Sequence, residues 1–234
     1  DYYAGFMRGY LGIPEERMRI ARIGVNTDGY REAPPPAANR AARIGYFARI
    51  APEKGLHVLA EAYRLVRKQE PGCTLEAAGY LAAEHRVYLD GIERQMREWN
   101  LPFVYRGVLD RPQKIAYLEG LDMLSTPTVY SDPKGLFVLE AMAAGVPFVQ
   151  PRHGAFPEIV ERTHGGILCE PENPESLAES LLRLIRDRER GAELAANAHR
   201  GVREYYTVAR MASETIVVFE KCLLQARPAA AVTQ

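Results

Sequence analysis

The chain has 234 residues, 47% of them hydrophobic and 26% charged, which is enough apolar material for one sizeable α/β domain or two small ones without staples. Its 30 basic and 30 acidic residues cancel, which excludes the basic field that holds nucleic acid or an anionic membrane without specificity, so any anion has to be bound by a local arrangement. Cys73, Cys169 and Cys222 stand far apart with no second Cys or His at ligand spacing, which argues against a disulfide framework and a zinc site and fits a reducing compartment. No apolar run reaches the ~20 residues that span a bilayer, and DYYAGFMRGY lacks the charged-then-apolar order of a signal peptide, so a soluble, cytoplasmic chain is expected.

In chain order, residues 1–30 carry a helix-like start, a Gly-Ile-Pro turn and a lone strand candidate, Met18 to Val25, too little to bury a core of their own. Residues 31–42, with the run APPPAANRAA from Ala33 to Ala42, read as a stiff linker. Short apolar runs then alternate with segments of helical period through residues 43–205, the signature of a parallel sheet with crossover helices. The strand candidates are Ile44 to Arg49, Thr74 to Ala78, Phe103 to Val108, Asp122 to Thr126, Pro147 to Gln150 and Gly166 to Cys169. Leu56, Leu59, Ala60, Tyr63 and Val66 form a helical stripe that Pro71-Gly72 ends, and Tyr88, Ile92, Met96 and Trp99 repeat it in the next crossover. Asn173 reads as an N-cap with Pro174 at the first helical position. Ala192 to Tyr205 and Thr207 to Gln225 read as two further helices, and ARPAAAVTQ, the end of the 206–234 segment, reads as disordered.

Two stretches carry chemistry. In IGYFARIAPEKGLHVL a strand is expected to end at Arg49, followed by a loop with Lys54 and Gly55 and then a helix. Loops at the carboxyl ends of parallel strands line the binding crevice of open α/β sheets, and a helix N-terminus adds unpaired N–H groups, so Arg49 and Lys54 are placed to neutralise a phosphate. In PTVYSDPKGLFVLEAMAAGVPFVQP, Asp132-Pro133 reads as a helix N-terminus, Gly135 as a clearing through which a ligand approaches the amides of Leu136 and Phe137, and Glu140 as a carboxylate able to accept from a ribose. Of the five histidines, His153 stands nearest to such a crevice.

Together these residues resemble the carboxyl-terminal domain of the family 4 retaining glycosyltransferases, which have the two-domain GT-B fold. Four segments match in order over roughly residues 14 to 225: ARIAPEKG (48–55), DPKGLFVLE (132–140), HGAFPEIV (153–160) and GGILCEPENPESLA (165–178). The resemblance implies a Rossmann-like three-layer sandwich with a mostly parallel six-stranded sheet, and residues 1–30 as the tail of an otherwise absent acceptor-binding domain in a longer natural protein. It implies a nucleoside-diphosphate sugar, UDP- or GDP-linked, as donor, with no cofactor and no metal. Arg49 and Lys54 would hold the diphosphate, Glu140 the ribose, and Asp132 the hydroxyls of the transferred sugar. Gly135, Leu136 and Phe137 would offer amides to sugar and phosphate, Val108 and Leu109 would flank the base, and Lys114 would be a further phosphate contact. The acceptor would meet mainly the absent domain, to which any peripheral membrane contact would also fall, and the isolated chain is expected to be inactive. The chain departs from the family in carrying Asp132 where Glu is usual, Pro-Lys-Gly in place of Gly-Phe-Gly, and Ala48 in place of Gly. The competing readings are a nucleotide-sugar epimerase or glycan phosphorylase of the same architecture, and a non-catalytic nucleotide-sugar-binding module.

Overall fold

The computed structural model describes residues 1–34 and 40–226; within the expected linker, residues 35–39 lie outside the described residues, as does the expected disordered tail from residue 227 on. Six strands form one sheet: β1 (Arg43–Phe47), β2 (Thr74–Ala78), β3 (Phe103–Tyr105), β4 (Met123–Leu124), β5 (Phe148–Pro151) and β6 (Gly166–Cys169). Every pairing is parallel and the order is β3-β2-β1-β4-β5-β6, a Rossmann-like topology that reverses direction between β1 and β4. That reversal opens a crevice at the carboxyl ends of β1 and β4, where chain segments leave in opposite senses.

The alternation of each strand divides the core in two. Ile44 and Tyr46 of β1 point into a cluster with α2 (Leu56–Gln69), α3 (Arg86–Glu98) and α7 (Pro174–Arg186). Phe47 and Phe148 face a second cluster with α4 (Arg111–Glu119), α5 (Leu136–Ala143), α6 (Phe156–Thr163) and α8 (Arg188–Tyr205). The helical stripes fall as their period requires: Leu56, Leu59, Ala60, Tyr63 and Val66 are buried, and burial of each large side chain contributes about 2 kcal/mol. Asn173 caps α7 by accepting from the Ser176 amide at 2.8 Å, with Pro174 at the first position. Trp99 stands just past the end of α3, partly buried against the first cluster, with the Arg64 guanidinium 5.0 Å from its ring centre.

Several boundaries differ from expectation. β1 stops at Phe47, β3 at Tyr105 and β4 at Leu124, so Arg49, Val108 and Thr126 belong to loops rather than strands, while β5 runs on to Pro151. Met18 to Val25 makes no strand: Val25 alone forms a bridge, to Thr207. The amino-terminal segment is also not wholly separate from the domain, because Val25 and Tyr30 are buried in the second cluster. Its helix α1 (Tyr2–Leu11) buries no residue. The last helix, α9 (Val208–Ala226), follows the Thr207 bridge. Among the described residues no helix is long and apolar enough to cross a membrane.

Candidate functional site

The loops after β1 and β4 meet across the switch point. After β1 the chain makes a short 3-10 turn at Pro52–Lys54 and enters α2 through Gly55, whose φ of 75° is left-handed. A Cβ at Gly55 would stand 1.8 Å from the Pro127 carbonyl oxygen, so only glycine lets the two loops touch. The contact is pinned by the Val129 amide, which donates to the Glu53 carbonyl at 3.0 Å.

This closeness sets the Lys54 ammonium against the acid at the mouth of the second loop. Lys54 Nζ lies 2.8 Å from Asp132 Oδ2 and also donates to the Tyr130 hydroxyl, which in turn donates to Asp132 Oδ2 at 2.8 Å. The Tyr130 and Phe137 rings lie 4.8 and 5.6 Å from the ammonium, at cation–π distance. Asp132 Oδ1 accepts from the amides of Lys134 at 3.0 Å and Gly135 at 2.8 Å. Burial pushes the Asp132 carboxyl up, but Lys54 and these amides outweigh it and hold its pKa below the usual carboxylate value. Burial likewise lowers Lys54, and its bonds to Asp132 and Tyr130 more than restore it, leaving its pKa raised.

Asp132 is therefore not the start of a helix. It closes a turn onto its own loop, and α5 begins at Leu136 after Gly135, whose φ is 62°. Gly135 does not clear a path for a ligand either. A Cβ there would point at Ile159 and Phe156, 3.1 and 3.3 Å away, and the glycine serves the left-handed entry into α5. The amides of Leu136 and Phe137 are the first of that helix and have no partner within it, so an anion beside Lys54 meets both a cation and a helix N-terminus.

One turn into α5, Glu140 pairs with Lys114 of α4 at 2.5 Å. Lys114 lies just after the capping box of α4, in which Asp110 accepts from the Gln113 amide, and the Val108–Leu109 turn directly precedes that cap. Val108 is 67% exposed on a turn set by Gly107, whose carbonyl accepts from the Gly79 amide at 2.9 Å. Arg49, about half exposed, forms its ion pair with Glu53. Lys54, Asp132 and Phe137 thus come together in one cluster, Lys114 and Glu140 in a second beside the Val108–Leu109 turn, and Arg49 stands at the rim. His153 supports the floor: its Nε2 donates to the Thr128 carbonyl at 2.9 Å and its Nδ1 is buried. The Ala155 amide, from the same loop, donates to the Asp132 carbonyl at 2.9 Å. Sequence reasoning missed Tyr130 and Glu53. Glu53 lies inside the ARIAPEKG stretch but carries no expected role there, and Tyr130, outside the matched stretches, meets Asp132 within its own loop and Lys54 only because two loops 76 residues apart come together.

All three cations singled out in the sequence are paired with acids, Arg49 with Glu53, Lys54 with Asp132 and Lys114 with Glu140. Each of these cations is thus balanced by a carboxylate of the same chain, and an anion reaching the crevice would compete with those carboxylates for the positive groups.

Known proteins resemble this chain in sequence and in fold. Residues 32–201 match the profile of the family described as glycosyl transferases group 1. The amylovoran biosynthesis glycosyltransferase AmsK of Erwinia amylovora is 30% identical over 184 residues, 74% of this chain and 43% of that protein, so the chain spans less than half of this relative. Among solved structures, the carboxyl-terminal domain of the group 1 family protein LpcC from Francisella tularensis superposes with a TM-score of 0.69 at 26% identity, over 79% of this chain and all of that one. The fold is also that of Anabaena HepE in complex with UDP and glucose, with a TM-score of 0.79 at 21% identity over 90% of this chain and 59% of that one. With the family profile spanning the whole sheet and both loops of the crevice, the chain belongs to the glycosyl transferases group 1.

Proposed function

We propose that this chain is the donor-binding half of a retaining, family 4 glycosyltransferase that moves a hexose-type sugar from a UDP- or GDP-linked donor to a glycan, lipid or small-molecule acceptor in the cytoplasm. The observation that carries the reading is the convergence of the Arg49–Lys54 loop and the α5 N-terminus on one crevice at the switch point. Arg49 and Lys54 take the diphosphate together with the amides of Leu136 and Phe137. Lys114 adds a phosphate contact, Glu140 accepts from the ribose hydroxyls, the Val108–Leu109 turn flanks the base, and Asp132 and Gly135 belong to the sugar end. Nucleotides in HepE structures support a nucleotide-sugar donor.

The chemistry follows from where charge develops. As the glycosidic bond breaks, the departing nucleoside diphosphate gains negative charge, and Arg49 and Lys54 hold it more tightly in the transition state than in the ground state. The acceptor side falls to the amino-terminal half present in longer relatives. Two bare apolar surfaces fit such a neighbour: Phe6 and Tyr10 of α1, and the stripe Ile216, Phe219 and Leu223 of α9, each more than half exposed. In the full-length protein, the Arg49→Ala, Lys54→Ala double variant is expected to lower turnover of the sugar nucleotide by a larger factor than it weakens donor binding. Steady-state kinetics beside equilibrium binding measures both, and unchanged turnover would contradict the leaving-group role.

A further inference from the structure

We infer that Tyr130 carries the sugar-recognising hydroxyl of the donor site, with Asp132 acting through it; the inference rests on the donor reading above. The family resemblance gives the sugar end to the acid at position 132, but in this chain that acid is already saturated. Asp132 is 5% exposed, Oδ1 accepts from the Lys134 and Gly135 amides, and Oδ2 accepts from Lys54 Nζ and the Tyr130 hydroxyl. A carboxylate offers about four lone-pair positions, so a sugar hydroxyl could reach Asp132 only by displacing one of these four donors. The side chain is also one methylene shorter than the glutamate usual there, and it bends back onto its own loop amides.

Tyr130 stands in front of it. The residue is 38% exposed, its ring lies 4.8 Å from the Lys54 ammonium, and its hydroxyl sits where Lys54 and Asp132 meet. Its proton is committed to Asp132 and one lone pair to Lys54, which leaves the phenolic oxygen one acceptor position for a sugar hydroxyl. Its backbone is fixed by the Thr128 hydroxyl, which donates to the Tyr130 carbonyl at 3.0 Å. Burial, with Asp132 beside it and against the pull of Lys54, raises the phenol pKa, so the group stays protonated and keeps its bond to the carboxylate. Asp132 thereby orients both neighbours: Lys54 toward the phosphates and Tyr130 toward the sugar.

The test is Tyr130→Phe, which keeps the ring beside Lys54 and removes only the hydroxyl. Affinities of the unmodified chain and the variant are measured for UDP, UDP-glucose, UDP-galactose, UDP-N-acetylglucosamine, GDP and GDP-mannose. The expected result is a fall of about tenfold in the affinity of the preferred sugar nucleotide relative to its own nucleoside diphosphate, with affinity for the diphosphate within about twofold of the unmodified chain. The unchanged diphosphate affinity also shows that the site still folds, which a merely structural role for Tyr130 would not preserve. An unaltered ratio would overturn the inference and return the sugar end to Asp132 alone. Equal losses for nucleotide and sugar nucleotide would make Tyr130 a scaffold for Lys54 and overturn it too. If the unmodified chain bound none of the six, the donor reading itself would fall, and this inference with it.

Discussion

The carboxyl edge of the sheet and the outer face of α9 both carry groups that await a partner, and they wait in opposite ways. At the sheet edge every candidate cation is matched by an acid of the same chain, and Asp132 has all its acceptor positions filled. On α9, Ile216, Phe219, Leu223 and Leu224 are 56 to 68% exposed and nothing in the described residues covers them. Charge can be neutralised by side chains a few residues away, whereas an apolar stripe is satisfied only by another surface of matching size. The charges at the sheet edge are therefore balanced within this chain, and the helix face is uncovered among the described residues. Substitutions at the edge should cost stability as well as binding, and substitutions on α9 should cost neither.

The largest effect is expected at Gly55. Gly55→Val would drive a side chain into the Pro127 carbonyl at a left-handed backbone position, forcing apart the two loops of the site. A loss of about 3 kcal/mol in unfolding free energy, read by urea denaturation, is expected together with loss of nucleotide binding. Lys54→Ala should come next, because it strips a buried carboxylate of its counter-charge while three hydrogen-bond donors remain; about 2 kcal/mol is expected.

Asp132→Asn sharpens the comparison through pH. The carboxyl has a folded pKa below its ordinary value of 3.8, so the stability it adds is present above that value and is lost as pH falls through the lower folded one. Lys54 has a folded pKa above 10.5, so its share is present below that pH and is lost as pH rises through the higher folded value. The stability gap between the unmodified chain and the Asn variant, about 1 to 2 kcal/mol, should thus hold across neutral pH and close in strong acid, as followed by thermal melts at several pH values. The smallest effect on stability belongs to Phe219→Ser with Leu223→Ser on α9. A change within about 0.5 kcal/mol by urea denaturation and unaltered nucleotide affinity by calorimetry are expected. A large loss of stability there would mean that the stripe packs within this chain.

Much of the fold was legible because buried parallel strands read as short apolar runs and their crossover helices keep a strict period. Thr74–Ala78 and Gly166–Cys169 emerged with the boundaries expected of them, and Asn173-Pro174 opened α7 as its side chains require. Strand ends were less legible: Val108 is as apolar as any strand residue, but it lies beyond the last ladder partner of β3. Met18 to Val25 has strand-like residues, but only Val25 forms a bridge, to Thr207. In the candidate site, the motif spacing singled out Arg49, Lys54, Asp132 and Glu140. It said nothing of which acid would meet which base. Tyr130 was invisible for the same reason, since its hydroxyl meets Asp132 within its own loop but gains Lys54 only across the switch point.

The most direct test of the account is calorimetric titration of this chain with UDP, GDP and ADP, beside the Arg49→Ala, Lys54→Ala double variant. The account predicts that one of these nucleotides binds and that the variant weakens it by about 100-fold or more, as expected for losing two charge-assisted contacts. Equal binding by the variant, or binding of none by the unmodified chain, would contradict a donor site complete within these residues.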